Sequence, residues 1–315
     1  MTDYSLLPSS TRPQAFALQP TMLPSPLQAI SHPLLTAHGV TLWCKRDDLI
    51  HPTISGNKWR KLKYQLQHAQ EQGIRHLISF GGAYSNHIHA LAAAGCQSGL
   101  NTTGIIRGEP DAASNSTLSA AKDWGMDLIF VDRQSYRRRQ DPHWLAQFTA
   151  PDTLIVPEGG SSPLAIPGVA ELVGEVPFSP DLWVLPCASG GTLAGLIAGK
   201  REQERILAIA VLKGANFIAD EVRRLHPAAA TTPGWQIALD HHGGGYAKFS
   251  PALWQWVQAF SAETGLPLEP IYSGKAMWGL FRELAAGHIP RGSKIVFIHT
   301  GGMQGLLGLK EQGRI

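Results

Sequence analysis

Ser55-Gly56-Asn57-Lys58-Trp59-Arg60-Lys61-Leu62 is the stretch on which the reading of this chain turns. An extended run, Val40 to Arg46, leads into it through Asp47-Asp48-Leu49. Ser55, Gly56 and Asn57 suit a turn and a helix cap. Beyond them, Trp59, Leu62, Leu66 and Ala69 fall on one face of a helix. Lys58, Arg60, Lys61 and Lys63 crowd its first turns, where the macrodipole disfavours cations. A lysine held beside other cations has a lowered pKa, and its free amine can attack a carbonyl to form a Schiff base. Taken alone, the stretch reads better as a solvated basic helix face.

Outward from this helix, short apolar strands alternate with helices. His76–Phe80, Thr102–Ile106, Asp127–Val131 and Thr153–Pro157 read as strands, as do Leu182–Leu185, Ile206–Leu212, Trp235–Leu239 and Lys294–His299. Helices are expected between them, among them Ile88–Cys96, Leu193–Glu204, Pro251–Thr264 and Ala276–Ala286. This rhythm predicts an α/β fold with open, twisted, mostly parallel sheets covered on both faces. At 315 residues the chain is long enough for two domains. Six prolines in residues 1–38 predict an extended arm with little regular structure.

In such sheets a ligand binds beyond the carboxyl ends of the strands. Gly81-Gly82, Gly159-Gly160, Gly190-Gly191 and Gly301-Gly302 all follow strands, so these loops are expected to meet at one crevice. Ala188-Ser189-Gly190-Gly191-Thr192 joins a strand to a helix N-terminus through small residues, a place where backbone N–H groups can hold a phosphate, although an ordinary tight turn explains the same residues. Neither a Walker A lysine nor Gly-x-Gly-x-x-Gly spacing is present, which sets aside nucleoside triphosphates and dinucleotides. In Gly81-Gly82-Ala83-Tyr84-Ser85-Asn86-His87, a hydroxyl, an amide and an imidazole stand at a helix start and could hold a carboxylate. Simple helix capping by Ser85 or Asn86 explains the same residues. No Gly-x-Ser-x-Gly elbow surrounds Ser85 or Ser189, and His87, His89, His241 and His242 lack partners at metal spacing, so no metal is expected.

The net charge of +3 is too mild for a nucleic-acid partner, and Arg137-Arg138-Arg139 reads as a solvated loop or helix face. Three separated cysteines, no signal-like segment and no membrane-length apolar run lead to the expectation of a soluble cytoplasmic protein with reduced thiols.

Together, and in this order, the lysine stretch, Gly81–His87, Ser189-Gly190-Gly191-Thr192 and His299-Thr300-Gly301-Gly302 resemble the 1-aminocyclopropane-1-carboxylate deaminase and D-cysteine desulfhydrase family, over about Pro24 to Gly302. These are pyridoxal-phosphate enzymes of the tryptophan-synthase β-like fold (fold type II). The resemblance implies a larger domain, residues 1–58 and 158–315, with a smaller domain, 59–157, inserted into it, and a homodimer. It implies pyridoxal 5'-phosphate in the cleft between them, bonded to Lys58, which also moves protons at Cα. Asn86 would bond the ring 3-oxygen, Ala188, Ser189, Gly190, Gly191 and Thr192 the phosphate, and Ser85 with Asn86 and His87 the carboxylate of a small amino-acid substrate. Tyr246 and Tyr272 resemble the family's two substrate-facing tyrosines; core packing is what the residues alone suggest for them.

Where ring-opening members carry a glutamate after the second tyrosine, facing the pyridine nitrogen, this chain has Ser273. That hydroxyl, with Thr300, is similar to the desulfhydrases and implies α,β-elimination, with D-cysteine as the leading substrate. Cyclopropane ring opening, amino-acid dehydration and a non-catalytic cofactor-binding protein remain as alternatives. Tyr84, where relatives often have glutamine, is a second departure and bears on substrate choice.

Overall fold

The computed structural model describes residues 18–315, arranged around two sheets. Regular structure begins with β1 (Leu27–Ile30), α1 (Pro33–His38) and β2 (Thr41–Lys45). β1 pairs antiparallel with β2, so the proline-rich arm supplies an edge strand and a short helix where little regular structure was expected. The prolines fit because Pro33 occupies the first turn of α1, where the missing N–H has no partner to lose. The start of the arm lies outside the described residues.

From β2 the chain passes into α2 (Asn57–Glu71) and on to the second sheet. There β3 (His76–Gly82), α3 (Asn86–Ser98), β4 (Asn101–Arg107), α4 (Ser116–Asp123) and β5 (Met126–Val131) follow one another. Two short helices the sequence did not signal, α5 (Arg133–Arg137) and α6 (Pro142–Leu145), lead to β6 (Thr153–Ile155). The four strands are parallel, in the order β5-β4-β3-β6.

The chain then returns through α7 (Ala165–Gly174) to the first sheet with β7 (Leu182–Cys187), α8 (Gly191–Gly199), β8 (Arg205–Ala210), α9 (Phe217–Leu225) and β9 (Trp235–Ala238). The last elements are α10 (Pro251–Thr264), α11 (Ser273–Ala285), β10 (Lys294–Ile298) and α12 (Gly305–Glu311). This sheet runs β1-β2-β10-β7-β8-β9, parallel everywhere except β1. The mostly parallel α/β fold expected from the sequence is the fold observed.

The apolar strands have no polar face because both faces are covered. Val184, Ile209 and Phe297 pack with Val257, Phe260 and Leu280 of α10 and α11. Trp183, Leu185 and Val296 point the other way, onto Leu193, Leu196, Ile218 and Val222 of α8 and α9. In the second sheet Leu77, Ile106 and Met126 share a core with Leu62 and Leu66 of α2 and Leu91 of α3.

A buried ion cluster ties α2 to both neighbours. Arg60 donates to Asp47 Oδ2 at 2.7 Å and to Glu175 Oε1 at 2.8 Å, and Lys45 also donates to Glu175. Two cations against two carboxylates, with Ser25 bonded to Asp47 as well, leave no charge in the cluster uncompensated. The first turns of α2 are thereby fixed against β2 and the end of α7.

Candidate active site

A cleft of about 800 Å³ opens where the strand ends of both sheets meet. Gly82 ends β3, Arg107 ends β4, Glu158 follows β6, Ala188 follows β7 and Thr300 follows β10, and all five line it. Each of the four glycine pairs contributes at least one residue, as the strand–loop pattern predicted.

Lys58, the second residue of α2, is half-buried in this cleft. Its aim depends on Gly56, whose φ of 64° lies in the left-handed region and whose hypothetical Cβ would overlap the Thr300 carbonyl. That carbonyl accepts the N–H of Asn57 at 3.2 Å, which locks the helix start against the loop after β10. Burial pulls the Lys58 ammonium down to about 8. Cationic crowding, the reason anticipated from the sequence, is not the cause: Arg60 faces Asp47 and Glu175, and Lys63 pairs with Glu171 at 2.6 Å.

Lys61 was not singled out by sequence reasoning, although its i+3 spacing puts it on the face of α2 that carries Lys58. It is 1% exposed and donates to Gly159 O at 3.1 Å and Ser161 Oγ at 3.0 Å, with Ser189 Oγ at 3.5 Å. Among the described residues no carboxylate pairs with it. Burial, then the charge of Lys58, hold it well below the usual lysine range. A buried amine bonded only to neutral oxygens is a seat for an anion.

The N-terminus of α8 stands beside it. A Cβ on Gly191 would lie 2.5 Å from Ser161 Oγ and 3.1 Å from Lys61 Nζ, so only glycine leaves the cradle open. Thr192 Oγ1 accepts from Asn57 Nδ2 at 2.8 Å, coupling this loop to the lysine helix. Ala188, Ser189, Gly190 and Thr192 line the cleft, and Gly191 sits just behind them. Free helix N–H groups, hydroxyls and one uncompensated lysine fit a phosphate ester, and Lys58 fits a carbonyl on the same molecule; the donor set suits pyridoxal phosphate.

Ser85, Asn86 and His87 also line the cleft. Ser85 caps α3 by accepting the Ile88 N–H at 3.3 Å, so the capping role holds, and the N–H groups of Asn86 and His87 are left without intrahelical acceptors. His87 turns inward and is 2% exposed. Ser79 gives its hydrogen to Val156 O at 2.6 Å, so it must accept from His87 Nε2 at 2.8 Å. The imidazole therefore carries its proton on Nε2, and burial, with Lys58 and Lys61 nearby, keeps it neutral. It contributes to the wall through its backbone and a buried Nδ1 that has no partner among the described residues.

Tyr246 and Tyr272 also reach the cleft, with ring centroids 6.2 Å apart and the Tyr272 hydroxyl donating to that of Tyr246 at 3.3 Å. Burial, then Tyr246, push Tyr272 well above the usual phenol range. Arg139, expected to be merely solvated, pairs with Glu158 at 2.8 Å on the cleft wall, where its guanidinium and that of Arg107 both stack on Tyr136.

Ser273 is the residue the structure places elsewhere. It is fully buried, does not line the cleft, and donates to Glu269 Oε1 at 2.9 Å. Glu269 also accepts the N–H groups of Ile271, Tyr272 and Ser273, which starts α11 at Ser273, three residues before the expected Ala276. Thr300, which follows β10, does line the cleft.

Residues 18–301 match the model of the pyridoxal-phosphate dependent enzyme family. A putative 1-aminocyclopropane-1-carboxylate deaminase of Pyrococcus horikoshii is 31% identical over 85% of this chain and 86% of its own length. The bifunctional D-cysteine desulfhydrase/1-aminocyclopropane-1-carboxylate deaminase of Arabidopsis thaliana is 29% identical over 92% and 79%, and a D-cysteine desulfhydrase of Yersinia pestis 27% over 91% and 94%. The crystal structure of an ACC deaminase homologue superposes with a TM-score of 0.80 over 95% of this chain and 94% of that one, at 27% identity. With the lysine, the anion cradle and the two mostly parallel sheets in place, the chain belongs to the pyridoxal-phosphate-dependent enzymes, in the family of the 1-aminocyclopropane-1-carboxylate deaminases and D-cysteine desulfhydrases.

Proposed function

We propose that the protein catalyses α,β-elimination on a small amino acid, D-cysteine first, giving pyruvate, ammonia and hydrogen sulfide. When bound, pyridoxal phosphate supplies a carbonyl for an amine and a π-system that accepts negative charge from the substrate Cα. Lys58 would hold it, Lys61 and the 188–192 loop its phosphate, Asn86 its ring oxygen, and Thr300 its ring nitrogen. Once released, the Lys58 amine is a base for the Cα proton, and a pKa of about 8 leaves part of it neutral near pH 7. The Ser85–His87 helix start would bind the α-carboxylate through free N–H groups. Tyr272, kept protonated by burial, is a donor for the departing thiolate.

The observation carrying the choice of reaction is the partner of Glu269. Its carboxylate is held by three backbone N–H groups and the Ser273 hydroxyl, so the cleft offers Thr300 rather than a carboxylate to the ring nitrogen. A neutral ring is a weaker electron sink, which suits a good leaving group such as a thiolate. Initial rates of 2-oxo acid release from D-cysteine and 1-aminocyclopropane-1-carboxylate at equal saturation test this. Faster release from the cyclopropane would replace the reading by ring opening, which the relatives' names also favour. Release from neither, with the cofactor bound, would mark a binding protein.

A further inference from the structure

A second chamber of about 600 Å³ adjoins the cleft. The two share Gly82, Asn86, Arg107, Tyr246, Tyr272 and Gly302, so the chamber opens from the point where the substrate-side groups converge. Its far wall is α12, where Gly308 packs against the Tyr84 ring. A cleft of 800 Å³ already accommodates a cofactor and a three-carbon amino acid, so the chamber is room for a longer side chain.

Its charges are unevenly engaged. Asp132 caps α5 through the N–H groups of Gln134 and Ser135 and the Ser135 hydroxyl, and Glu269 is held by its own backbone. Arg314 donates to Ala247 O and lies 4.8 Å over Phe249. Glu109 and Arg133, of opposite sign, are exposed at the rim. Arg107 is exposed as well and, like Glu109 and Arg133, unpaired among the described residues; it differs from them in being stacked. Its guanidinium lies 5.4 Å over the Tyr136 ring, which is buried and tied to Glu158 at 2.8 Å, yet among the described residues it has no hydrogen-bond acceptor and no ion-pair partner. Stacking fixes the guanidinium while leaving its N–H fork free, the state in which arginine receives a carboxylate in bidentate fashion.

We propose that this chamber binds the side chain of the substrate and that Arg107 receives an acidic group at its end, so that the favoured substrates are amino acids with a second carboxylate beyond Cβ. This rests on the elimination reading above and narrows it. The α-carboxylate has its own seat at the start of α3, on the neighbouring strand's loop, so the two anions are received separately. With a thioether such as S-carboxymethyl-D-cysteine, the Cα proton passes to a base. The Cβ–S bond then breaks with its electron pair going to sulfur, and water displaces the nitrogen. The products are pyruvate, ammonia and mercaptoacetate, with no net oxidation.

The test compares S-carboxymethyl-D-cysteine with S-ethyl-D-cysteine, a neutral thioether of similar size, on the holoenzyme and on Arg107→Met and Arg107→Lys. The ratio of their kcat/KM values should favour the acid in the wild type, fall at least about tenfold in Arg107→Met through the KM of the acid, and recover partly in Arg107→Lys. An unchanged ratio would overturn the proposal. So would an equal rise in both KM values, which would assign Arg107 to the α-carboxylate. If the wild type releases no 2-oxo acid from any amino acid, elimination falls, and calorimetric Kd values decide on Arg107 alone. Tighter binding of the acid in the wild type, lost in Arg107→Met, upholds the chamber; equal Kd values for acid and ethyl thioether remove it.

Discussion

Glu269 Oε1 accepts the hydroxyl of Ser273 at 2.9 Å, at a fully buried serine that does not line the cleft. Ser273 therefore helps to close the first turn of α11 and to hold the loop that presents Tyr272. Burial pushes Glu269 up to about 7, against the pull of the hydrogen bonds from residues 271–273. For a carboxyl raised above its unfolded value the native state binds more protons, so stability falls as pH rises from about 4.5 to 7 and is level above. Urea unfolding of wild type and Glu269→Gln across that window should show this fall in the wild type and its absence in the variant. Parallel pH profiles would mean that Glu269 titrates normally.

Lys58 is expected to carry the cofactor. Borohydride treatment of the pyridoxal-phosphate complex should label Lys58 alone, and Lys58→Ala should remove both label and turnover. Because its pKa is about 8, the rate of cofactor attachment should climb with pH and level off near 8 rather than near 10.5. Label on Lys61, Lys213 or Lys275 would reassign the lysine.

Much of this arrangement was legible in the sequence because strand–glycine–helix punctuation follows from backbone needs that are local. The four glycine loops, the parallel strands and Lys58 at a helix start all belong to that class. Side-chain partners that depend on distant segments were not legible. Arg60 reads as part of a basic helix face, yet its partners are Asp47 and Glu175, the latter 115 positions away. Lys61 looked like its neighbours until the 159–161 and 189 loops surrounded it. Ser273 lies next to Tyr272 in the chain, but the helix that begins there turns its side chain to the core. The edge strand in the proline-rich arm was hidden because proline suppresses the usual strand signal while remaining compatible with a sheet edge.

The cluster around Arg60 should matter for folding more than for chemistry. Removing one partner of a buried ion network leaves the others uncompensated and costs about 3–5 kcal/mol. Arg60→Leu should lose stability of that order by denaturant unfolding, with Asp47 and Glu175 left facing each other across the vacated space. Arg138→Leu, whose pair with Asp141 is half-exposed, should change stability by no more than about 1 kcal/mol. Similar losses in both variants would show that the cluster around Arg60 is no more than a set of surface pairs.

The cradle formed by Lys61, Gly191 and Thr192 gives the sharpest separation between binding and folding. Among the described residues Lys61 is a buried amine without an anionic partner, so the apo protein gains nothing from its charge, whereas a phosphate seated in the cradle would gain a charge-assisted hydrogen bond. Such a bond contributes about 1.5–3 kcal/mol, so Lys61→Met should weaken pyridoxal-phosphate affinity by roughly 10- to 100-fold. In the apo protein the same change removes a buried charge but also the donor to Gly159 O and Ser161 Oγ, so its unfolding midpoint should change little. Gly191→Val acts differently: its Cβ would lie 2.5 Å from Ser161 Oγ, so it fills the cradle and should abolish measurable cofactor binding with some loss of stability. Fluorescence or calorimetric titration of apoprotein with pyridoxal phosphate, run beside thermal unfolding without cofactor, reads both effects. Wild-type affinity in Lys61→Met would mean that the phosphate lies elsewhere in the cleft and that Lys61 is only a strut between the 159–161 loop and Ser189.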